Sequence, residues 1–275
     1  MLKSQEIIIE PNRIERQYWR DLWTYRELFY FLAWRDILVR YKQTTIGIAW
    51  AILRPFFTMI VFSIVFGKLA KMPSGNIPYP ILVFSAMLPW QFFSSAFSGC
   101  SNSMIGNAHL ISKVYFPRLA IPFSTIMVCF VDFFISLSML FALMVWYNFW
   151  PSWRLLFLPL FILLTVSTAL GAGLWISALN VKYRDFSHVV PFIVQMGLYI
   201  SPVGFSSDVI PMQYRLLYSI NPMVGVIDGF RWVLLGKQTT IYWPGLLLSI
   251  TIVILISICS LYYFRQTERT FADII

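Results

Sequence analysis

Long apolar runs separated by short charged segments dominate the hydropathy pattern of this chain. A helix needs about 20 apolar residues to cross a bilayer. Six runs approach or exceed that length, at residues 46–68, 80–103, 119–147, 155–179, 188–206 and 243–264. The pattern predicts an all-α integral membrane protein with six transmembrane helices.

Residues 26–42 carry a different pattern, in which apolar and charged side chains recur at helical spacing. One arc of the predicted helix holds Tyr30, Phe31, Trp34, Ile37, Leu38 and Tyr41. Charges occupy the rest of the circumference, at Arg35, Asp36, Arg40 and Lys42, although Leu32 and Val39 interrupt that side. This imperfect amphipathicity predicts an interfacial helix lying at the membrane surface. The predicted organisation is therefore a tail (1–25), the interfacial helix (26–42), a transmembrane domain (43–265) and a second tail (266–275).

The segment 202–242 is too apolar for a simple loop, yet prolines divide it. Pro202, Pro211 and Pro222 leave pieces too short to span a bilayer. A short helix is predicted at 211–219. A second is predicted near 222–235, because Asn221 followed by Pro222 suits a helix start and Gly236 suits a helix end. Two short helices between the fifth and sixth spans predict a re-entrant hairpin on the outer side, with Pro211, Asn221 and Pro222 at its turns.

Composition agrees with a membrane protein. The 275 residues are 59% hydrophobic and only 12% charged, with 11 Trp and 14 Tyr that suit interfacial belts. The net charge of +9 does not indicate nucleic-acid binding, because the basic residues lie at the ends of the apolar runs. Cys100, Cys129 and Cys259 lie within apolar runs without metal-ligand spacing, which favours core residues.

The distribution of Lys and Arg predicts the orientation. With the N-terminus inside, 14 of the 21 basic residues fall on inner segments and six on outer ones, with Arg54 within the first span. Basic residues favour the cytoplasmic side. Both termini are therefore expected in the cytoplasm.

No catalytic motif accompanies this architecture. The sequence holds no phosphate-binding Gly-rich loop, no H-E-x-x-H and no nucleophile elbow. His109 and His188 lie in or beside predicted loops, far apart in sequence. If the protein moves something actively, a partner must supply the energy.

Arg54 is the one charge inside the first span, and it shares a helical face with Trp50 and Phe57. A cation beside aromatic rings could line a path for an anionic or sugar-bearing substrate. Alternatively, Arg54 lies near the cytoplasmic interface and anchors the helix there. Other aromatic residues could line the same path or simply pack within the spans; they are Trp90, Phe92, Phe93, Tyr199 and Phe205.

Two further charged positions invite a structural interpretation. Asp132 is the one acid well inside a span, so we expect it to be paired with Arg54 or another polar neighbour rather than to contact substrate. Asp228 and Arg231 are three residues apart on the second short helix and can pair locally. That pair would hold the outer hairpin, or serve it as a gate.

Taken together, these segments resemble the permease subunit of ATP-binding-cassette polysaccharide exporters, the group serving O-antigen, capsule and teichoic acid. The resemblance extends over nearly the whole chain. Its carriers are L-W-T-Y-R-E-L (22–28), R-D-I-L-V-R-Y-K-Q-T-T-I-G-I-A-W (35–50) with R-P (54–55), L-I-S-K-V-Y-F-P-R (110–118), L-N-V-K-Y-R-D-F (179–186), N-P-M (221–223) with D-G-F-R (228–231), and E-R-T-F-A-D (268–273).

The resemblance implies a homodimer of permeases bound to two ATPase subunits, which would bind ATP and Mg²⁺ while this chain holds no cofactor. The cargo would be a polyprenyl-diphosphate-linked polysaccharide crossing the bacterial inner membrane. Arg35, Arg40 and Lys42 would lie near the ATPase and the entrance for substrate. A coupling helix within 107–118 would dock on the ATPase, using His109, Leu110, Lys113, Tyr115, Pro117 and Arg118. The two short helices, with Asp228 and Arg231, would form an outer gate.

Two other functions stay open from the sequence. The first is a permease of the same superfamily that exports a drug or lipid. The second is a membrane-embedded glycosyl- or acyltransferase, for which Asp185 and His188 are the nearest pair of suitable groups.

Overall fold

The computed structural model describes residues 23–42, 47–114, 116–183, 185–268 and 271. All regular elements within these ranges are helical, which confirms the all-α prediction. The predicted N-terminal tail falls almost entirely outside the described residues, as do Tyr115 and most of the C-terminal tail.

Among the described residues, five helices are long and apolar enough to cross a membrane, at Ala49–Leu69, Tyr79–Gly106, Ala120–Trp146, Trp153–Lys182 and Trp243–Thr267. In chain order we name α1 (Arg26–Lys42), α2 (Gly47–Phe62, continued by a π-helical segment to Leu69), α3 (Tyr79–Gly106), α4 (Ala108–Lys113) and α5 (Ala120–Trp146). The remaining helices are α6 (Leu158–Lys182, preceded by a 3-10 turn at Trp153–Phe157), α7 (Phe186–Ile200), α8 (Met212–Tyr218), α9 (Pro222–Leu235) and α10 (Trp243–Thr267).

The predicted fifth span, 188–206, corresponds to a helix of 15 residues, α7. At 1.5 Å per residue that helix reaches about 22 Å, short of the roughly 30 Å hydrocarbon layer. A compact turn follows it, in which Ser201 and Val203 are fully buried. The six-span arrangement therefore stays a prediction.

Helix α3 is the centre of the molecule. Of its most apolar stretch, 78% of the residues are buried. Helices α5, α6 and α9 pack around it, α10 packs on α6, and α7 contacts it as well. By contrast, only 11% of the residues in the corresponding stretch of α2 are buried, so few side chains of this helix pack against the rest of the molecule.

The surface helix α1 packs on α5, and of the two side chains that interrupted its predicted pattern only Leu32 is buried, whereas Val39 is 51% exposed. Leu32 and Ala33 are buried against the body. Part of the predicted apolar arc faces outward instead, with Tyr30, Phe31 and Trp34 exposed, whereas Tyr41 at the end of the helix contacts Asp132. An exposed aromatic arc on a membrane-surface helix is suited to contact with lipid.

Local signals in the 211–236 region give the predicted pair of short helices. The Asn221 side chain accepts a hydrogen bond from the backbone N–H of Met223 at 3.1 Å, and Pro222 occupies the first turn of α9. Gly236 ends the helix with φ of 65°, a conformation that favours glycine. Helix α9 then lies buried among α3, α6 and α10, whereas α8 is largely exposed.

Candidate functional site

A cleft of about 580 Å³ lies between α2, α3, α5, α7 and the end of α1. Its volume falls in the range of ligand-binding pockets, about 300–1,000 Å³. Three charged side chains line it, together with aromatic rings and a band of small polar groups. The charged residues are Arg40, Arg54 and Asp132; the aromatic ones are Tyr41, Trp50, Phe62, Trp90, Phe92 and Phe133; the polar ones are Thr58, Gln91, Ser94, Ser95, Ser98, Ser136 and Gln195.

Arg54 lies on the α2 wall of this cleft and is exposed to it. Within the described ranges, no carboxylate pairs with its guanidinium. The next residue is a proline within the helix, so Pro55 cannot donate to the Ala51 carbonyl, which is also at the cleft. This wall therefore offers a cation that has no carboxylate partner in the part of the chain that the structure describes.

Asp132, on the α5 wall, is bound by the end of α1. Its Oδ2 lies 2.5 Å from Nη2 of Arg40, and its Oδ1 accepts a hydrogen bond from the Tyr41 hydroxyl. Burial, reinforced by this bond to the carboxylate, raises the pKa of Tyr41, so the hydroxyl stays a donor. The prediction of a polar partner for Asp132 is confirmed. That partner is the Arg40–Tyr41 pair rather than Arg54.

The aromatic rings of the cleft come from α1, α2, α3 and α5. Trp90 and Phe92 of α3 are almost fully buried behind the cleft, whereas Trp50 of α2 is 59% exposed. The Phe92 ring contacts Phe133 edge-on, with 5.4 Å between centroids. Trp50 is therefore the ring most available to a ligand, and the others form a rigid backing.

A polar band on α3 was not identified by sequence reasoning. Gln91, Ser94, Ser95 and Ser98 follow one another at intervals of three, one and three residues and so share one helical face toward the cleft. The signal was present in the sequence as a run of polar side chains at helical spacing inside an apolar span. These hydroxyl and amide groups give the cleft hydrogen-bonding capacity beside its aromatic rings.

Four of the predicted path residues do not line the cleft. Phe57 is on α2 and is 56% exposed, but it does not line the cleft. Phe93 is buried and stacks on Phe97 at 5.6 Å. Tyr199 is exposed near the end of α7, and Phe205 lies in the turn that follows.

Two of the basic residues predicted near the ATPase, Arg35 and Arg118, form contacts within this chain. Arg35 bonds to Asp36 and donates to the Asn107 side chain at 3.0 Å, which links α1 to the start of α4. Arg118 donates to the Glu268 carbonyl and lies over the Phe271 ring. Both residues therefore fix neighbouring segments.

Other members of that predicted set stay accessible. His109 and Lys113 are exposed on α4, and Lys42 is exposed at the end of α1. Leu110 packs against the adjacent core and Pro117 is buried, so these two shape the loop rather than its surface.

The predicted ion pair between Asp228 and Arg231 is not formed. The Asp228 carboxylate accepts instead from the Ser207 hydroxyl at 2.7 Å, and Arg231 donates to the carbonyls of Phe205 and Val203. Both side chains point into the turn after α7 and form hydrogen bonds with its polar groups instead of an ion pair with each other. Burial raises the pKa of Asp228, against the opposing effects of Ser207 and Arg231.

The chain matches the family profile described as ABC-2 type transporter over residues 27–235. It is 27% identical over 253 residues to the O-antigen export system permease protein RfbA of Myxococcus xanthus, covering 90% of this chain and 96% of that protein. A Klebsiella pneumoniae protein of the same name is 25% identical over 256 residues, covering 90% and 95% of the two chains. The polysialic acid transport protein KpsM of Escherichia coli is 24% identical over 199 residues, covering 70% of this chain and 76% of that protein.

Proposed function

Because the chain belongs to the ABC-2 type transporter family of membrane proteins, we propose that it exports a polyprenyl-diphosphate-linked cell-surface polysaccharide across the bacterial inner membrane. Relatives that match over most of both chains are named as O-antigen export permeases, which supports a polysaccharide exporter. Export of a drug or lipid by a related permease is the less supported alternative.

One observation carries the choice of cargo: the cleft combines a guanidinium that has no carboxylate partner among the described residues, an exposed indole and a row of hydroxyls. Guanidinium groups bind phosphate oxygens through strong, charge-assisted hydrogen bonds. Aromatic faces and hydroxyls suit a sugar ring, which has apolar faces and polar edges. Arg54 would hold the diphosphate, while Trp50 and the serines of α3 would contact the first sugars.

The energy would come from a separate ATPase subunit, present in two copies, which binds ATP and Mg²⁺. Two copies of this chain would form the path through the membrane. The exposed His109 and Lys113 on α4 support docking of the ATPase at that end of the molecule. The excess of basic residues on the same side supports a cytoplasmic location of both termini.

A membrane-embedded transferase has less support. Such an enzyme needs an acid or base positioned in a site. The two candidate groups, Asp185 and His188, are exposed at the start of α7, and neither lines the cleft.

An Arg54→Gln substitution tests this function. In a strain lacking its own copy, we expect the variant to restore about one tenth or less of the surface polysaccharide that the wild type restores. The physical reason is that a hydrogen bond to a charged group contributes about 1.5–3 kcal/mol. Surface glycan would be quantified at equal amounts of protein in the membrane.

The matched control is Lys68→Gln, which removes a cation from the far end of the same helical stretch, away from the cleft. We expect it to restore normal export. Normal export by Arg54→Gln would show that Arg54 only anchors the helix. Unchanged glycan in the strain lacking the chain would favour a drug or lipid cargo.

A further inference from the structure

The two arginines of the cleft are in different electrostatic situations. Arg54 has no carboxylate partner among the described residues, whereas Arg40 is held at 2.5 Å by Asp132. Both members of that ion pair line the cleft and are partly exposed, 43% for the Arg40 side chain and 25% for Asp132. A ligand in the cleft can therefore reach Arg40 as well as Arg54.

We infer that Asp132 is an internal counter-ion that occupies Arg40 until a diphosphate group in the cleft displaces it. The inference rests on the proposed function, since it specifies how the same site selects its anion. In the empty cleft one of the two cations is neutralised. In the occupied cleft both would bind the substrate.

The surroundings of Asp132 make this exchange feasible. When Arg40 turns toward a ligand, the carboxylate keeps the hydrogen bond from Tyr41. A buried carboxylate left without any partner would be costly, and this hydroxyl reduces that cost. Arg40 also lies near the Cys129 thiol, three residues before Asp132.

The exchange would give the cleft a means of discrimination. Ordinary membrane phospholipids carry a phosphodiester with one negative charge, which Arg54 alone can balance. A diphosphate carries at least two negative charges and gains from a second cation. Arg40 therefore gives a diphosphate an advantage over a single phosphate, and competition by Asp132 for Arg40 weakens diphosphate binding enough for the cargo to move on.

Binding of polyprenyl lipids tests the inference. The full chain, assembled with its ATPase in phosphatidylcholine nanodiscs, would be titrated with undecaprenyl diphosphate, undecaprenyl phosphate and inorganic pyrophosphate. Pyrophosphate distinguishes a site for the lipid-linked group from one for free phosphate. Because a partly exposed ion pair is weak, we expect Asp132→Asn to tighten diphosphate binding by about three- to fivefold, and Asp132→Glu to retain wild-type affinity.

Two further variants separate competition for Arg40 from a general change in charge. Arg40→Gln should weaken diphosphate binding and bring the affinities for diphosphate and monophosphate closer together. Adding Asp132→Asn to Arg40→Gln should give no further gain, because the contested cation is absent. Lys68→Gln, outside the cleft, should leave every affinity unchanged.

Several results would overturn the inference. One is that Asp132→Asn binds diphosphate no more tightly than the wild type. Another is that Asp132→Asn tightens binding equally when Arg40 has been replaced. If Asp132→Asn does not fold, an unchanged preference for diphosphate in Arg40→Gln would overturn it alone. If the wild type binds no polyprenyl diphosphate, or if Arg54→Gln binds it normally, the proposed substrate recognition at the cleft fails and this inference fails with it.

Discussion

At the scale of single residues, Arg231 shows how a buried charge can serve the backbone. The side chain is only 3% exposed, and its guanidinium donates to Phe205 at 2.8 Å and to Val203 at 3.3 Å. Those carbonyls belong to the non-helical turn after α7, where no helical N–H can reach them. Polar backbone groups in apolar surroundings need such partners. Arg231 therefore stabilises the turn rather than a charge on its own helix.

Replacing Arg231 with Met tests this role, because Met keeps an unbranched apolar side chain and removes the donors. We expect the free energy of unfolding to fall by about 2–4 kcal/mol, since two buried carbonyls would lose their partner. Denaturant unfolding in detergent micelles would measure it. Lys113→Gln, at an exposed site, should change stability by about 0.5 kcal/mol or less. Equal stability of the two variants would contradict this account.

The residues that were predicted well depend on neighbours within a few positions. Asn221 and Gly236 mark the ends of α9 because capping involves backbone groups two or three residues away. The partners of Arg231 lie 26 and 28 residues away, and Tyr41 lies 91 residues from Asp132. Such pairs depend on how helices pack. The sequence could indicate that Asp132 needs a partner, but not which residue supplies it.

At the scale of elements, glycine allows α9 to pack closely against α6. A Cβ atom added at Gly229 would lie 1.9 Å from Cε1 of Phe161, far inside van der Waals contact. The Phe161 ring is itself buried and packs near Phe230. Because the added Cβ would overlap a buried ring, the separation of α6 and α9 depends on the absence of a side chain at this position.

A Gly229→Ala substitution should therefore destabilise the protein despite the higher helix propensity of alanine. We expect a loss of about 1–3 kcal/mol, typical of overpacking in a core. The matched control is Gly106→Ala at the end of α3, where an added Cβ meets nothing within 4 Å. Thermal unfolding in detergent would compare them. A Gly229→Ala variant as stable as Gly106→Ala would contradict the tight packing.

The element whose length was least predictable is α7. The apolar run predicted a span at 188–206, yet the helix ends at Ile200. Pro202 provides the reason: a proline disfavours helical backbone in the residue before it, and Ser201 is extended, with ψ of 152°. The apolar character of residues 201–206 indicates that they are buried, but it does not distinguish a helix from a buried turn.

At the scale of the whole molecule, the cleft lies between one helix that is mostly buried, α3, and one that is mostly exposed, α2. Helix α3 is enclosed by its neighbours, while α2, which carries Arg54, is buried over only 11% of its apolar stretch. One wall of the cleft is therefore rigid and the other is attached through few contacts. In the proposed dimer, the exposed side of α2 would be available to a second copy or to lipid, and its position could change as cargo enters.

Helix α7 and the turn after it decide how many times the chain crosses the membrane. The helix reaches about 22 Å. The following residues can add the remaining distance only if their backbone groups have partners at that depth. Arg231 supplies two such partners, and the Tyr79 hydroxyl donates to the Gly204 carbonyl. A short helix followed by a side-chain-supported turn can therefore cross where a full-length helix is missing.

This crossing predicts that Asp185 and Asp208 lie on opposite sides of the membrane. In a variant with Cys100, Cys129 and Cys259 replaced by alanine, single cysteines at these positions would be labelled by a membrane-impermeant maleimide. Asp208→Cys should react in intact, outer-membrane-permeabilised cells, and Asp185→Cys only after lysis. Trp150→Cys and Lys113→Cys calibrate the outer and inner sides. If Asp185→Cys and Asp208→Cys react from the same side, α7 does not cross, and the six-span arrangement is wrong.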